Sequence, residues 1–160
     1  MKSRCGLIAL AVFLATACCL LGQNSGQDQW IGTWKLNRTK SKYQAPAKVP
    51  LSRVVKFEAV PGGMKATSDL VDAEGNVHIE FTAKYDGKDV VLNGPELGLT
   101  VAVTRIDAFT FDTVQKNRGT LNVTSHNVVS RDGKTLTTTT VGTLSSGEKL
   151  THTSVYDKQP

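Results

Sequence analysis

Asn76-Val77-His78-Ile79-Glu80-Phe81-Thr82-Ala83-Lys84-Tyr85-Asp86-Gly87 alternates apolar and polar residues and then stops on Asp-Gly. Val77, Ile79, Phe81 and Ala83 fall on one face, and His78, Glu80, Thr82 and Lys84 on the other. A period of two is the mark of a half-buried strand. Asp-Gly then supplies residues that tolerate the positive φ angles of a tight hairpin. The same pattern repeats outward from Trp30. Short runs rich in Val, Thr, Ile and Phe are cut by Pro61-Gly62-Gly63, Glu74-Gly75-Asn76, Asn93-Gly94-Pro95, Arg118-Gly119, Asp132-Gly133 and Ser146-Gly147. Cutting there predicts an all-β chain of about ten strands, beginning near Trp30, Leu51, Gly63, Asn76, Lys88, Gly98, Phe109, Thr120, Thr135 and Lys149. An even up-and-down series exposes two edges unless it closes, so the expected architecture is an antiparallel meander barrel. Turns this short argue against a Greek-key sandwich, which needs long cross-connections.

The chain has 160 residues, 39% hydrophobic, 6% aromatic and 21% charged, which fits one globular domain. Collagen, mucin, long coiled coil and multi-span membrane protein are excluded by that composition. Met1 to Arg4 is basic, and Gly6 to Gly22 follows with seventeen uncharged residues. That is the layout of a secretory signal. Residues 1–22 are therefore expected to be removed, leaving a flexible segment over 23–29 and a single barrel domain over 30–160. Ala15-Thr16-Ala17 competes with Leu20-Leu21-Gly22 as the cleavage site. The expected location is secreted or periplasmic; cleavage before Cys18 would instead give an anchored lipoprotein. All three cysteines (Cys5, Cys18 and Cys19) lie in this segment. The folded part then has no disulfide, thiolate nucleophile or cysteine metal site.

Gly32-Thr33-Trp34-Lys35-Leu36 resembles the opening strand of calycin barrels: Gly-x-Trp in lipocalins, and Gly-Thr-Trp-Lys-Leu in fatty-acid-binding proteins. Thr153-Ser154-Val155-Tyr156-Asp157-Lys158 is similar to the last strand of fatty-acid-binding proteins, which reads Thr-Arg-x-Tyr-Glu-Lys. The start, with its Lys40-Ser41-Lys42-Tyr43 continuation, is also similar to secreted bacterial lipocalin-like proteins of unassigned function. The resemblance implies a ten-stranded barrel plugged at one end by the Trp34 ring, with Gly32 allowing close approach. It differs from fatty-acid-binding proteins in two ways. The two-helix lid has no counterpart, because Asn37 to Pro50 is about fourteen residues and carries Pro46 and Pro50. The clamp arginine is replaced by Ser154, while its tyrosine remains as Tyr156.

A ten-stranded barrel has room for a small ligand, although the lumen can equally collapse onto a filled core. If the register of the resemblance holds, Leu150, His152, Ser154 and Tyr156 face inward. Trp34, Arg105, His152, Ser154 and Tyr156 are the candidate ligand-binding residues. Arg105 shares a face with Val101 and Val103; it is either an internal cation for an anionic head group or a strand-end residue reaching water. No catalytic residue is expected: His152 and Ser154 share a strand face without a nucleophile elbow. No metal site is expected either, since His78, His126 and His152 lie on three strands without ligand spacing. No cofactor is expected.

The net charge is +5, from nineteen basic and fourteen acidic residues. Losing Lys2 and Arg4 leaves seventeen basic against fourteen acidic, or +3. Seven of the seventeen fall between Gln29 and Phe57, with no acidic residue among them: Lys35, Arg38, Lys40, Lys42, Lys48, Arg53 and Lys56. A basic strap would gather anionic ligands or hold the protein against an anionic membrane surface. Export and the lack of interleaved aromatics argue against nucleic acid. The expectation is an exported, monomeric, non-enzymatic barrel binding a small apolar or amphipathic molecule. The alternative is a cavity-less barrel acting as a protein-interaction or envelope structural module.

Overall fold

The computed structural model describes residues 27–45, 49–95, 98–118, 120–143 and 147–160. The expected signal segment over 1–22, Cys18 and Lys48 lie outside the described residues. Eleven strands form one antiparallel sheet: β1 Gly32–Leu36, β2 Lys42–Tyr43, β3 Ser52–Val60, β4 Gly63–Val71, β5 Asn76–Lys84, β6 Val90–Val91, β7 Leu99–Arg105, β8 Thr110–Asn117, β9 Thr120–Val129, β10 Thr135–Thr143 and β11 Lys149–Lys158. Ten of them follow the order β5-β4-β3-β1-β11-β10-β9-β8-β7-β6. This is a nearly closed, ten-stranded meander barrel, and no helix occurs among the described residues. The turn dipeptides placed most strand starts within two residues.

Closure comes from β1, which pairs with β3 on one side and β11 on the other. Its chemistry explains the position. Trp34 and Leu36 are buried inward while Lys35 is exposed, so alternation drives one face into the core. Gly32 has φ +133, a conformation side chains resist, and a Cβ there would lie a tight 3.1 Å from the Lys158 side chain. At Gly63 a Cβ would collide with the Ala83 carbonyl oxygen, so only glycine lets β4 meet β5 there.

Three local expectations differ from the structure. Trp30 precedes β1 rather than starting it; it sits in a turn, fully buried, and its carbonyl accepts the Trp34 indole N–H at 2.7 Å. The strand expected near Lys88 is only Val90–Val91, and it pairs with β7 rather than with β5 across Asp86-Gly87. The exposed Lys88-Asp89 pair gives it no apolar alternation to bury. The seam between β5 and the β6–β7 pair is held instead by two isolated bridges, Glu80 to Asn93 and Asp86 to Thr104.

The third difference concerns Asn37 to Pro50, whose length, two prolines and lack of an apolar period imply a strap over the barrel. Its first half lies along the wall, because β2 continues β1 down the same edge of β11, pairing Lys42 with Thr153 and Tyr43 with His152. The chain leaves β11 between the two strands in a turn organised by Asn37. The Asn37 side-chain oxygen accepts from Lys40 N–H at 3.1 Å and Thr39 hydroxyl at 2.8 Å, and its amide donates to Asp157 at 2.6 Å. Such Asx-type bonding is how asparagine replaces ladder bonds in a turn. Ser41 rejoins the strand by accepting from Val155 N–H at 2.9 Å.

The core gathers at the Trp34 end. Trp30, Trp34, Met64, Val103, Phe111 and Val129 are buried there, with Phe111 4.8 Å from Trp30 and 5.5 Å from Phe57 between ring centroids. The Lys158 ammonium lies 5.0 Å from the Trp34 ring, a cation–π cover over the plug.

Candidate functional site

Beyond the aromatic plug the barrel is hollow. A cavity of about 230 Å³ lies in the lumen, and its two walls differ in chemistry. On β3, β4, β5 and β7 the lining is largely apolar, Val55, Phe57, Ala66, Ile79, Phe81 and Val101 joined by Leu92, with Arg53, Thr67 and Ser68 as its polar members. On β8 to β11 it is largely polar: Thr113, Gln115, Ser125, Asn127, Thr138, Thr140, His152 and Ser154. The alternation of each strand fixes this side choice, and antiparallel register aligns the polar residues in rows. Thr113 faces Ser125, Ser125 faces Thr140, Thr140 faces His152, and His152 faces Tyr43. One step deeper, Asn127 faces Thr138, and Thr138 faces Ser154.

Part of this wall satisfies itself. Thr138 donates to Asn127 at 2.8 Å, Asn127 donates to the Phe111 carbonyl at 3.2 Å, and Ser125 and Thr140 share a hydrogen bond of 3.0 Å. The hydroxyl of Thr113 and the amide of Gln115 have no hydrogen-bond partner among the described residues.

Among the described residues one cation lines the cavity, Arg53. Its Nε donates to Ser68 at 2.9 Å; no carboxylate lines the cavity, and none pairs with Arg53 among the described residues. Beside it, Tyr43 stacks on His152 with ring centroids 4.7 Å apart and planes 4° off parallel. The Tyr43 hydroxyl shares a 2.6 Å hydrogen bond with Ser154. Burial pushes the Tyr43 phenol above its usual range, although the Ser154 bond opposes this. Burial, and then the Arg53 charge, hold the His152 imidazole below its ordinary value, which keeps it neutral near pH 7.

The sequence-derived candidates separate in space. His152, Ser154 and Tyr156 line the cavity together. Trp34 does not line it; fully buried, it forms the plug. Arg105, taken from sequence as either an internal cation or a strand-end residue, stands at the end of β7 away from Tyr156. Its Nε donates to Asp28 at 2.7 Å, and it lines a shallower depression with Gly62 and Tyr85. The Tyr85 phenol there is pushed up to about 12, first by burial and then by the Asp28 carboxylate.

The six described basic residues do not form one strap. Lys35 and Lys56 project outward from β1 and β3, Lys56 pairing with Glu58 at 2.9 Å. Arg38 and Lys40 ride the Asn37 turn, Lys40 pairing with Asp157 at 3.1 Å, and Lys42 is exposed on β2. Arg53 alone of the six described turns into the lumen. Sequence reasoning missed its placement, and Tyr43 as a neighbour of Ser154. A signal for Arg53 existed: it stands two and four residues before Val55 and Phe57, on the same face of one strand. Tyr43 had none, because the interruption at Asn37 hides its register.

Chemically, the lumen offers hydrogen-bonding groups and apolar contact. Ser154 bonds to Tyr43, and among the described residues no bond joins it to His152. No cluster of three or more metal-ligating side chains occurs among the described residues. No protein-family model matches the chain, and no curated protein sequence matches it.

Proposed function

We propose that the protein is an exported, calycin-like barrel that binds a small amphipathic molecule in its lumen without transforming it. The observation that carries this reading is the 230 Å³ cavity with apolar side chains along one wall, Arg53 at its mouth and no lining carboxylate. Ligand pockets commonly pair an apolar lining with a few placed polar groups. At about 230 Å³ the space falls below the roughly 300–1,000 Å³ of pockets for drug-sized ligands. A small occupant suits it better than a long lipid. The Trp34 plug supports the likeness to lipocalins and fatty-acid-binding proteins, as does the order of the ten strands. The open lumen weighs against the alternative of a filled barrel working only through its surface. Export rests on the basic and apolar N-terminal residues of the sequence, and contact with an anionic membrane would fall to the exposed Arg38 and Lys42.

Titration with 1-aminoanthracene, a neutral fluorophore that brightens in apolar surroundings, tests the reading. Saturable enhancement is expected, and its loss in Ala66→Phe, which fills the lumen, with the far-ultraviolet circular dichroism of the barrel retained. The absence of saturable enhancement in the unaltered protein would overturn it.

A further inference from the structure

A straight alkyl chain would touch every side of this lumen alike, and the lumen is not alike on every side. Along β3, β4, β5 and β7 it is mostly apolar, with Phe57, Phe81 and Val101 among the lining side chains, and the Ser68 hydroxyl there is already engaged by Arg53. Facing them, Thr113 and Gln115 hold hydrogen-bonding groups unclaimed within the described residues, and the Ser125–Thr140 hydroxyl pair retains acceptor capacity beyond its single mutual bond. The Nδ1 of His152 is buried and also without a partner. Water can serve such groups while the cavity is open. An alkyl chain that displaced the water would leave them buried and unsatisfied, which opposes binding. At the mouth, Arg53 spends only Nε on Ser68. Its remaining four N–H donors have no protein acceptor among the described residues. A planar guanidinium fork matches a carboxylate better than any neutral group.

We infer that the lumen selects a small carboxylate that is itself two-faced: a hydroxylated ring acid whose carboxylate meets Arg53, whose hydroxyls meet Thr113, Gln115 and Ser125, and whose bare face lies against Phe57 and Phe81. This rests on the lumen-binding reading and narrows it. Shape adds to polarity here, because a flat ring loses less freedom on binding than a flexible chain of equal size.

The test is isothermal titration calorimetry of the purified protein with 3,4-dihydroxybenzoate, benzoate, hexanoate and 3,4-dihydroxybenzyl alcohol. The first is expected to bind at least about tenfold tighter than each of the others. A Thr113→Val/Gln115→Leu variant, nearly isosteric, should close the gap between dihydroxybenzoate and benzoate while preserving the preference for a carboxylate over the alcohol. Thermal melts confirm that this variant is folded, and Thr113→Val alone serves if the pair is not. Benzoate or hexanoate binding as tightly as dihydroxybenzoate would overturn the inference. So would carboxylates that fail to bind while 1-aminoanthracene still saturates, an outcome that leaves the lumen-binding reading standing. If neither carboxylates nor 1-aminoanthracene bind, both fall.

Discussion

The two ends of this barrel are built on opposite principles. At the Trp34 end the buried side chains are apolar rings and aliphatic groups; the indole N–H of Trp34 donates to the Trp30 carbonyl, and the indole N–H of Trp30 is buried without a partner among the described residues. At the Arg53 end the inward positions carry a guanidinium, an imidazole, hydroxyls and an amide around open space. Dense packing supplies stability and leaves no room, whereas open polar space costs stability and gives recognition. Substitutions at the plug should therefore act on folding, and substitutions at the mouth on binding.

The largest expected effect tests the first half of that contrast. Trp34→Ala removes a fully buried indole together with its bond to Trp30 and its contact with Lys158. Large-to-small changes of this kind cost about 3–5 kcal/mol. Denaturant unfolding should show that loss, and a cost below about 1 kcal/mol would mean the plug is not where stability resides.

The plug was legible in the sequence and the mouth was not, for a physical reason. Gly32-Thr33-Trp34-Lys35-Leu36 writes its fate locally: alternation sends Trp34 and Leu36 one way and Lys35 the other, and the same rule placed Ile79 and Phe81, while the register of the resemblance was needed to turn His152, Ser154 and Tyr156 inward. Arg53 obeys that rule too, but seven basic residues close in sequence read as one charged segment. Only register shows that the segment divides between the outer wall, a turn and the lumen. Tyr43 reaches Ser154 across 111 residues through a short strand resumed after the Asn37 turn. Pairing at that distance is decided by the sheet, so no local pattern announces it.

The second prediction moves to the mouth. Arg53→Met keeps the aliphatic stem and removes the charge and the bond to Ser68, so unfolding stability should fall by no more than about 1 kcal/mol. Charge-assisted hydrogen bonds are worth about 1.5–3 kcal/mol, so calorimetric affinity for 3,4-dihydroxybenzoate should fall by at least about tenfold. A loss in stability matched by unchanged affinity would erase the distinction between the two ends. A smaller effect is expected from Tyr43→Phe, which leaves the buried Ser154 hydroxyl without its partner. One such bond is worth about 1 kcal/mol. Denaturant unfolding should register that cost, with the stacking on His152 retained; no measurable change would show that the Tyr43–Ser154 bond does not hold β2 to the wall.

The smallest effect sharpens the contrast most, because only the mouth should respond to pH near neutrality. Burial, then the positive charge of Arg53, lower the pKa of His152 from its ordinary 6.5. Besides Arg53 from β3, its neighbours are Tyr43 from β2 and Thr140 from β10, the one neutral near pH 7 and the other without a charge. The folded protein therefore takes this proton at lower pH than the unfolded chain. Below about pH 6.5 the unfolded chain binds more protons, so stability is full above 6.5 and declines as pH falls toward the lowered folded value. His78 and His126 are exposed and paired with Asp69 and Asp112, each at 2.6 Å, so they stay the same in a comparison at position 152. Subtracting the pH–stability curve of His152→Gln from that of the unaltered protein should leave a slope confined to that window. A carboxylate bound at Arg53 would offset the positive charge and shrink the slope, whereas Trp34→Ala, for all its larger cost, should leave the slope in place.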